Sequence, residues 1–152
     1  MNWARLLLAC GALAGIAGCG GRDSIGPATL DTRNDACAHC RMSVSSVRTA
    51  AQIVAPGEEP RFFDDLSCLS SWLGAGHVLP SGARIFVADH RTSSWVSADL
   101  AVFTRVPGLE TPMGSGIVAH ESEASRDQDD AARGGSPVPR PQVLVGQAGS
   151  GT

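Results

Sequence analysis

The sequence has no lysine: its 12 basic residues are all arginine, set against 15 acidic ones for a formal net charge of −3. They form no basic stripe of the kind that tracks a nucleic-acid backbone, so no nucleic-acid partner is expected. Catalytic spacings are missing as well. No Ser/His/Asp arrangement, phosphate-binding glycine loop or pair of catalytic carboxylates is found, and no enzymatic activity is expected. Long apolar runs are also absent. The stretch from Leu6 to Ala17 is the main one, and it falls short of the roughly 20 residues that a membrane-spanning helix requires.

What that short run does have is the layout of an export signal: a basic start at Arg5, an apolar middle and a small-residue end. It closes on Ile16-Ala17-Gly18-Cys19, which resembles the bacterial lipobox. Residues 1–18 are therefore read as a lipoprotein signal peptide, with Cys19 lipidated and first in the mature chain. An ordinary signal peptide with Cys19 left as a free thiol is the plainer alternative. Several acyl chains anchor a protein stably where one does not, which places the protein on the periplasmic face of a bacterial membrane. Residues 19–35 read as the lipidated N-terminus and a tether, and residues 36–133 as one folded domain. About 100 residues are enough for a single core. Residues 134–152, rich in glycine and proline and poor in apolar side chains, are expected to be disordered.

Within the domain, Val47–Val54 and Pro60–Phe63 read as two strands joined by the turn Ala55-Pro56-Gly57-Glu58-Glu59. Asp64 or Asp65 then caps a helix whose apolar face carries Leu66, Leu69, Trp72 and Leu73 and which closes at Gly74 and Gly76. Further strands are expected at Arg84–Ala88, Trp95–Val96, Ala101–Val106 and Gly116–Ala119, with a short helix over Glu121–Arg133. Two halves, each of strands with a covering helix, make an α+β domain.

Sulfur is where the sequence is most specific. With Met1 and Cys10 in the leader and Cys19 lipidated, Cys37, Cys40, Cys68, Met42 and Met113 remain. Cores use methionine as scattered filler. Here one methionine stands in Cys37-Ala38-His39-Cys40-Arg41-Met42 and the other between Pro112 and Gly114, a loop setting that leaves its thioether reachable. Thiolate and thioether sulfur suit Cu(I), whereas hard cations prefer oxygen. A thioether also needs no deprotonation to ligate.

Other readings of the same residues stand beside this one. A Cys-x-x-Cys pair in an oxidising compartment also suits a structural disulfide or a thiol-disulfide exchange motif. Covalent haem needs histidine directly after the second cysteine, where this chain has Arg41. A structural zinc site needs about four ligands; Cys37 and Cys40 would require help from Cys68 or from His39, His77, His90 or His120. Cys68, inside the expected helix, reads as a small buried thiol, and the histidines read as surface or structural residues. The Asp64-Asp65 pair reads as helix capping rather than a catalytic dyad.

Four motifs in order carry a resemblance. They are Cys37-x-x-Cys40-x-Met42, then Phe63-Asp64-Asp65-Leu66-x-Cys68, then Phe86-Val87-Ala88-Asp89 with Trp95-Val96-Ser97-Ala98, and finally Thr111-Pro112-Met113-Gly114-Ser115-Gly116-Ile117-Val118-Ala119. Together, over about Cys37 to His120, the chain resembles the NosL family of lipoproteins associated with assembly of the copper sites of nitrous-oxide reductase. The resemblance implies a small α+β domain of two ββαβ-like halves that binds one Cu(I) and passes it to nitrous-oxide reductase or its assembly machinery. By position it implies Cys40, Met42 and Met113 as ligands, with Cys37 next and His120 or His39 as a nitrogen donor. Two positions depart from the family pattern. Arg41 stands where a glycine often precedes the methionine, and His120 stands where an aromatic residue is expected.

Overall fold

The structure, a computed structural model, describes residues 25–145. The expected leader, the expected lipidation site Cys19 and the last seven residues of the chain, 146–152, lie outside the described residues. The fold is a small α+β domain with two antiparallel sheets and three helices among those residues. No helix among them is long and apolar enough to cross a membrane.

The first sheet contains β1 (Ala51–Val54), β2 (Arg61–Phe63), β3 (Arg84–Ala88) and β4 (Trp95–Ser97) in the order β2-β1-β3-β4. β1 and β2 pair with Ala51 opposite Phe63. Their turn places Gly57 at φ 70° after Pro56, with Glu58 N–H bonded to Ala55 C=O, the pattern of a type II turn. Helix α1 (Leu66–Gly74) follows β2 directly. Asp65 caps it by accepting the Ser67 N–H at 2.7 Å, and Gly76 past its end adopts φ 82°, where only glycine is unstrained. Leu66, Cys68, Leu69, Trp72 and Leu73 are buried, as the apolar spacing anticipates.

The second sheet contains β5 (Val102–Arg105), β6 (Ile117–His120) and β7 (Ser136–Val138) in the order β6-β5-β7. Each sheet therefore centres on its first strand, flanked by the next strand and by one that follows a helix. The sheets share one core that includes Phe63, Leu69, Trp72, Val87, Phe103 and Leu144. They are joined where β3 runs on into a bridge between Asp89 and Ala119. Asp89 holds that junction. Its Oδ1 accepts the N–H groups of Arg91 and Thr92, and its Oδ2 accepts the Glu121 N–H at 2.9 Å and the Ser125 hydroxyl at 2.7 Å. Burial pushes this carboxyl up, but those hydrogen bonds outweigh it and bring it down to about 2.

Three expectations are corrected here. The single helix expected over Glu121–Arg133 is broken into α2 (Glu123–Asp127) and a 3-10 turn at Asp130–Ala132. Asp129 causes the break: its extended backbone ends the first element, and its side chain accepts the Ala131 N–H to start the second. The tether is not free along its length either, because buried Gln52 bonds both the N–H and the C=O of Ala28.

The disorder expected from Gly134 onward does not hold up to residue 145. β7 pairs with β5, and α3 (Arg140–Val143) packs on α1, where Ser70 donates its hydroxyl to the carbonyls of Gln142 and Val143. The composition misleads because each breaker has a local use. A Cβ at Gly135 would collide with Thr104 Cγ2. Pro137 is tolerated because β7 is an edge strand. Val138, Val143 and Leu144 supply the burial that orders the segment.

If this packing stabilises the domain, Leu144→Ala should cost about 2 kcal/mol or more in urea unfolding, within the range for core truncations. A stability equal to that of the parent chain would return the segment to the disordered class.

Candidate metal centre

Cys37 and Cys40 sit on a tight hairpin. Ala36 and Ser43 form an antiparallel bridge, the Cys37 N–H bonds Met42 C=O at 2.7 Å, and the Arg41 N–H returns to Cys37 C=O at 3.0 Å. Closing so short a loop requires a left-handed residue, and Arg41 supplies it at φ 68°. That is the physical reason a glycine suits this position and why arginine is strained there. The hairpin docks on the end of β2 through a bridge between Cys37 and Phe62, with the Ala38 N–H bonded to Phe62 C=O.

β2 leads within two residues to α1, and Cys68 lies in the first turn of that helix. The result is one group: ligand atoms of Cys37, Cys40 and Cys68 all lie within 4.8 Å of one another. Cys37 and Cys68 are buried and Cys40 is half-buried, so the cluster opens to solvent on the Cys40 side. The three are free cysteines. Reading Cys68 as a packing thiol captured its burial and missed its neighbours. The only sequence signal was its position just after the Asp65 cap, which becomes informative once the hairpin is known to sit on β2.

The three thiols differ electrostatically. Burial pushes Cys37 up, but the backbone N–H groups of Cys40, Asp64 and His39 and the Cys40 thiol all bond to its sulfur and hold it below its ordinary value. Cys68 moves the other way: burial, then the charge and hydrogen bond of Cys37, then Cys40, push it far above the ordinary thiol range. Negative charge is therefore favoured on Cys37 over Cys68, which holds its proton the more tightly. A cation bound between them would compensate both, because it replaces that proton with positive charge.

The adjacent aspartates divide the work of holding this group. Asp64 Oδ1 accepts the Ser45 N–H at 2.7 Å and the Ser45 hydroxyl at 3.0 Å, fixing the chain just after Met42. Asp65 caps α1 with Oδ1 and accepts the Met113 N–H with Oδ2 at 3.1 Å. Burial raises the Asp65 carboxyl, and the hydroxyls of Thr111 and Ser115 with the Ser67 N–H bring it below its usual value. Met113 is thus tied through one side chain to the helix that carries Cys68. Met42 and Met113 are 49% and 45% exposed, so both thioethers stand available at the surface rather than in the core.

No histidine joins the sulfur group among the described residues. His39 is exposed and does not join the cysteine group. His77 stacks on Trp72 with ring centroids 4.3 Å apart. His120, expected as a nitrogen donor beside the sulfurs, is fully buried in a second group with His90 and Asp129. The reason is register: His120 ends β6 opposite Val102, and its ring turns into the junction behind Asp89 rather than toward α1. Compared with known proteins, the chain matches no family model, no curated protein and no solved structure.

Two substitutions test this geometry. Arg41→Gly should relieve the left-handed strain and raise stability by up to about 1 kcal/mol in chemical unfolding; a loss of stability would mean that the arginine side chain outweighs its backbone cost. Asp65→Asn retains an oxygen to cap α1 but replaces the acceptor for Met113 with a donor. Amide exchange at Met113 and Gly114 should then accelerate while α1 stays protected, and unaltered exchange would detach the loop from Asp65.

Proposed function

We propose that the protein is a membrane-anchored periplasmic metallochaperone that carries one Cu(I) on sulfur. The observation that carries this reading is the convergence of Cys37, Cys40 and Cys68 within 4.8 Å of one another. Three soft donors at this spacing suit Cu(I), which accepts low coordination numbers. Structural zinc asks for four closed ligands, and no fourth His, Cys, Asp or Glu joins the group among the described residues.

Cargo must also leave. Cys37 and Cys68 hold the buried side of the group, while Cys40, Met42 and Met113 lie toward solvent. A partner's ligands can meet the ion on that side, exchanging one sulfur at a time, without unfolding the domain. Met113 and Met42 serve as weak outer ligands in this reading, since neutral thioethers release the ion more readily than thiolates do. The resemblance to the NosL family supplies the acceptor, nitrous-oxide reductase during its maturation, and the lipobox at Cys19 supplies the anchor.

The decisive experiment is an anaerobic Cu(I) titration of the reduced protein against a chromophoric Cu(I) chelator. One Cu(I) per chain should be bound in competition with the chelator, and added Zn(II) should fail to displace it. Cys68→Ala should weaken binding strongly, whereas Met113→Ala should weaken it modestly and leave the fold intact. Failure to compete for Cu(I) would sink the proposal, and unchanged affinity in Met113→Ala would remove that residue from the site.

A further inference from the structure

The second group of ligating side chains, His90, His120 and Asp129, has no part in the sulfur chemistry. His90 Nδ1 lies 2.6 Å and His120 Nε2 lies 3.0 Å from the same oxygen, Asp129 Oδ2. The rings are 6.1 Å apart and nearly perpendicular, at 74°, so each brings one nitrogen to a common point from a different direction. We infer that this is a binding site for a divalent transition-metal ion of borderline softness, Zn(II) being the representative case, with two imidazoles and one carboxylate as ligands.

The donor set favours such an ion over Cu(I) or Ca(II), which prefer sulfur and oxygen respectively. Ligand atoms about 2.0–2.2 Å from a tetrahedral Zn(II) sit roughly 3.4 Å from each other. The group lies close to that spacing already, with all three ligand atoms within 4.8 Å. Small ring movements suffice to admit the ion.

The surrounding structure holds each ligand in place. The His90 N–H bonds Ala119 C=O at 2.8 Å, and its own C=O accepts the Arg48 Nε–H at 2.6 Å. His120 is in the β5–β6 ladder. Asp129 is oriented by the Ala131 N–H on its other oxygen, Oδ1. These backbone contacts fix where each of the three side chains starts.

Hydrogen bonding alone does not account for the group. His120 is 0% exposed, yet its Nδ1 has no partner, so the ring is held only through the nitrogen that points at Asp129. Buried polar atoms are ordinarily satisfied, and this one leaves Asp129 as the hydrogen-bond partner of the ring. Asp129 is itself buried and accepts only from the two imidazoles and one backbone N–H. A divalent cation would balance that charge. Entry is open. Asp129 lines a cleft of about 610 Å³ together with Arg126, Asp127, Ala132 and Arg133, and the two arginines there are engaged by Asp127 and Asp130.

The test is a Zn(II) titration of the reduced full chain followed by long-range 1H–15N NMR of the imidazole rings. The ring nitrogens of His90 and His120 should move together to metal-bound positions and saturate, while those of His39 and His77 stay in place. Zn(II) taken by the cysteines does not coordinate these rings, so the result stands whether or not the sulfur group carries copper. Asp129→Asn should weaken the effect by about tenfold or more. If that variant fails to fold, His90→Gln, which removes one imidazole and keeps a polar side chain, replaces it. Unmoved His90 and His120 resonances at saturating Zn(II), or undiminished affinity in a folded variant, would overturn the site.

Discussion

The turn from β2 into α1 holds the sulfur-bearing parts of this molecule together, and its two aspartates are the constraint. Asp64 grips Ser45 behind the Cys-x-x-Cys-x-Met hairpin, while its backbone N–H reaches the Cys37 sulfur. Asp65 starts the helix that carries Cys68 and holds the Met113 loop by its N–H. Three segments distant in sequence thus meet at one dipeptide. Both carboxylates are buried, which is tolerable because donors surround them; an unpaired buried carboxylate would cost far more than any one of these hydrogen bonds returns.

The same arrangement explains why the cysteine group is asymmetric. Backbone N–H groups converge on Cys37 because the hairpin is short and the chain must turn at Arg41, and they stabilise negative charge on that sulfur. Cys68 sits beside that charge on a buried helix turn and is driven the other way. A group of this kind is held in place by its scaffold, and its position could hold a metal ion. On the proposed reading, the protein keeps soft sulfur donors in one place and nitrogen and oxygen donors in another. The Asp89 junction between the sheets braces the latter.

Much of the architecture was legible in the chain. Two short strand-forming runs on either side of Pro56-Gly57 mark the first hairpin, and an aspartate before Leu66, Leu69 and Leu73 marks the helix, because these are local patterns with local causes. The tail was misread for a related reason. Gly134, Gly135, Pro137 and Pro139 have the composition of disorder, and only the neighbour Thr104, the edge position of β7 and the pocket that receives Val143 and Leu144 turn them into structure. Composition reports what a segment can do without partners, and here the partners decide.

The sequence by itself determined the local elements and the chemical inventory: a helix that must begin at Asp64 or Asp65, a loop that must be tight between Cys37 and Met42, and a small set of sulfur residues beyond residue 19. Tertiary structure alone decided which of those residues meet. Cys68 joined Cys37 and Cys40 because the hairpin docks on β2 just before the helix, a contact between Cys37 and Phe62 that no spacing rule encodes. His120 left that group for His90 and Asp129 because strand register turned its ring toward the other junction. Ligand sets depend on distances across the fold, and those distances are fixed only when the two sheets close on one core.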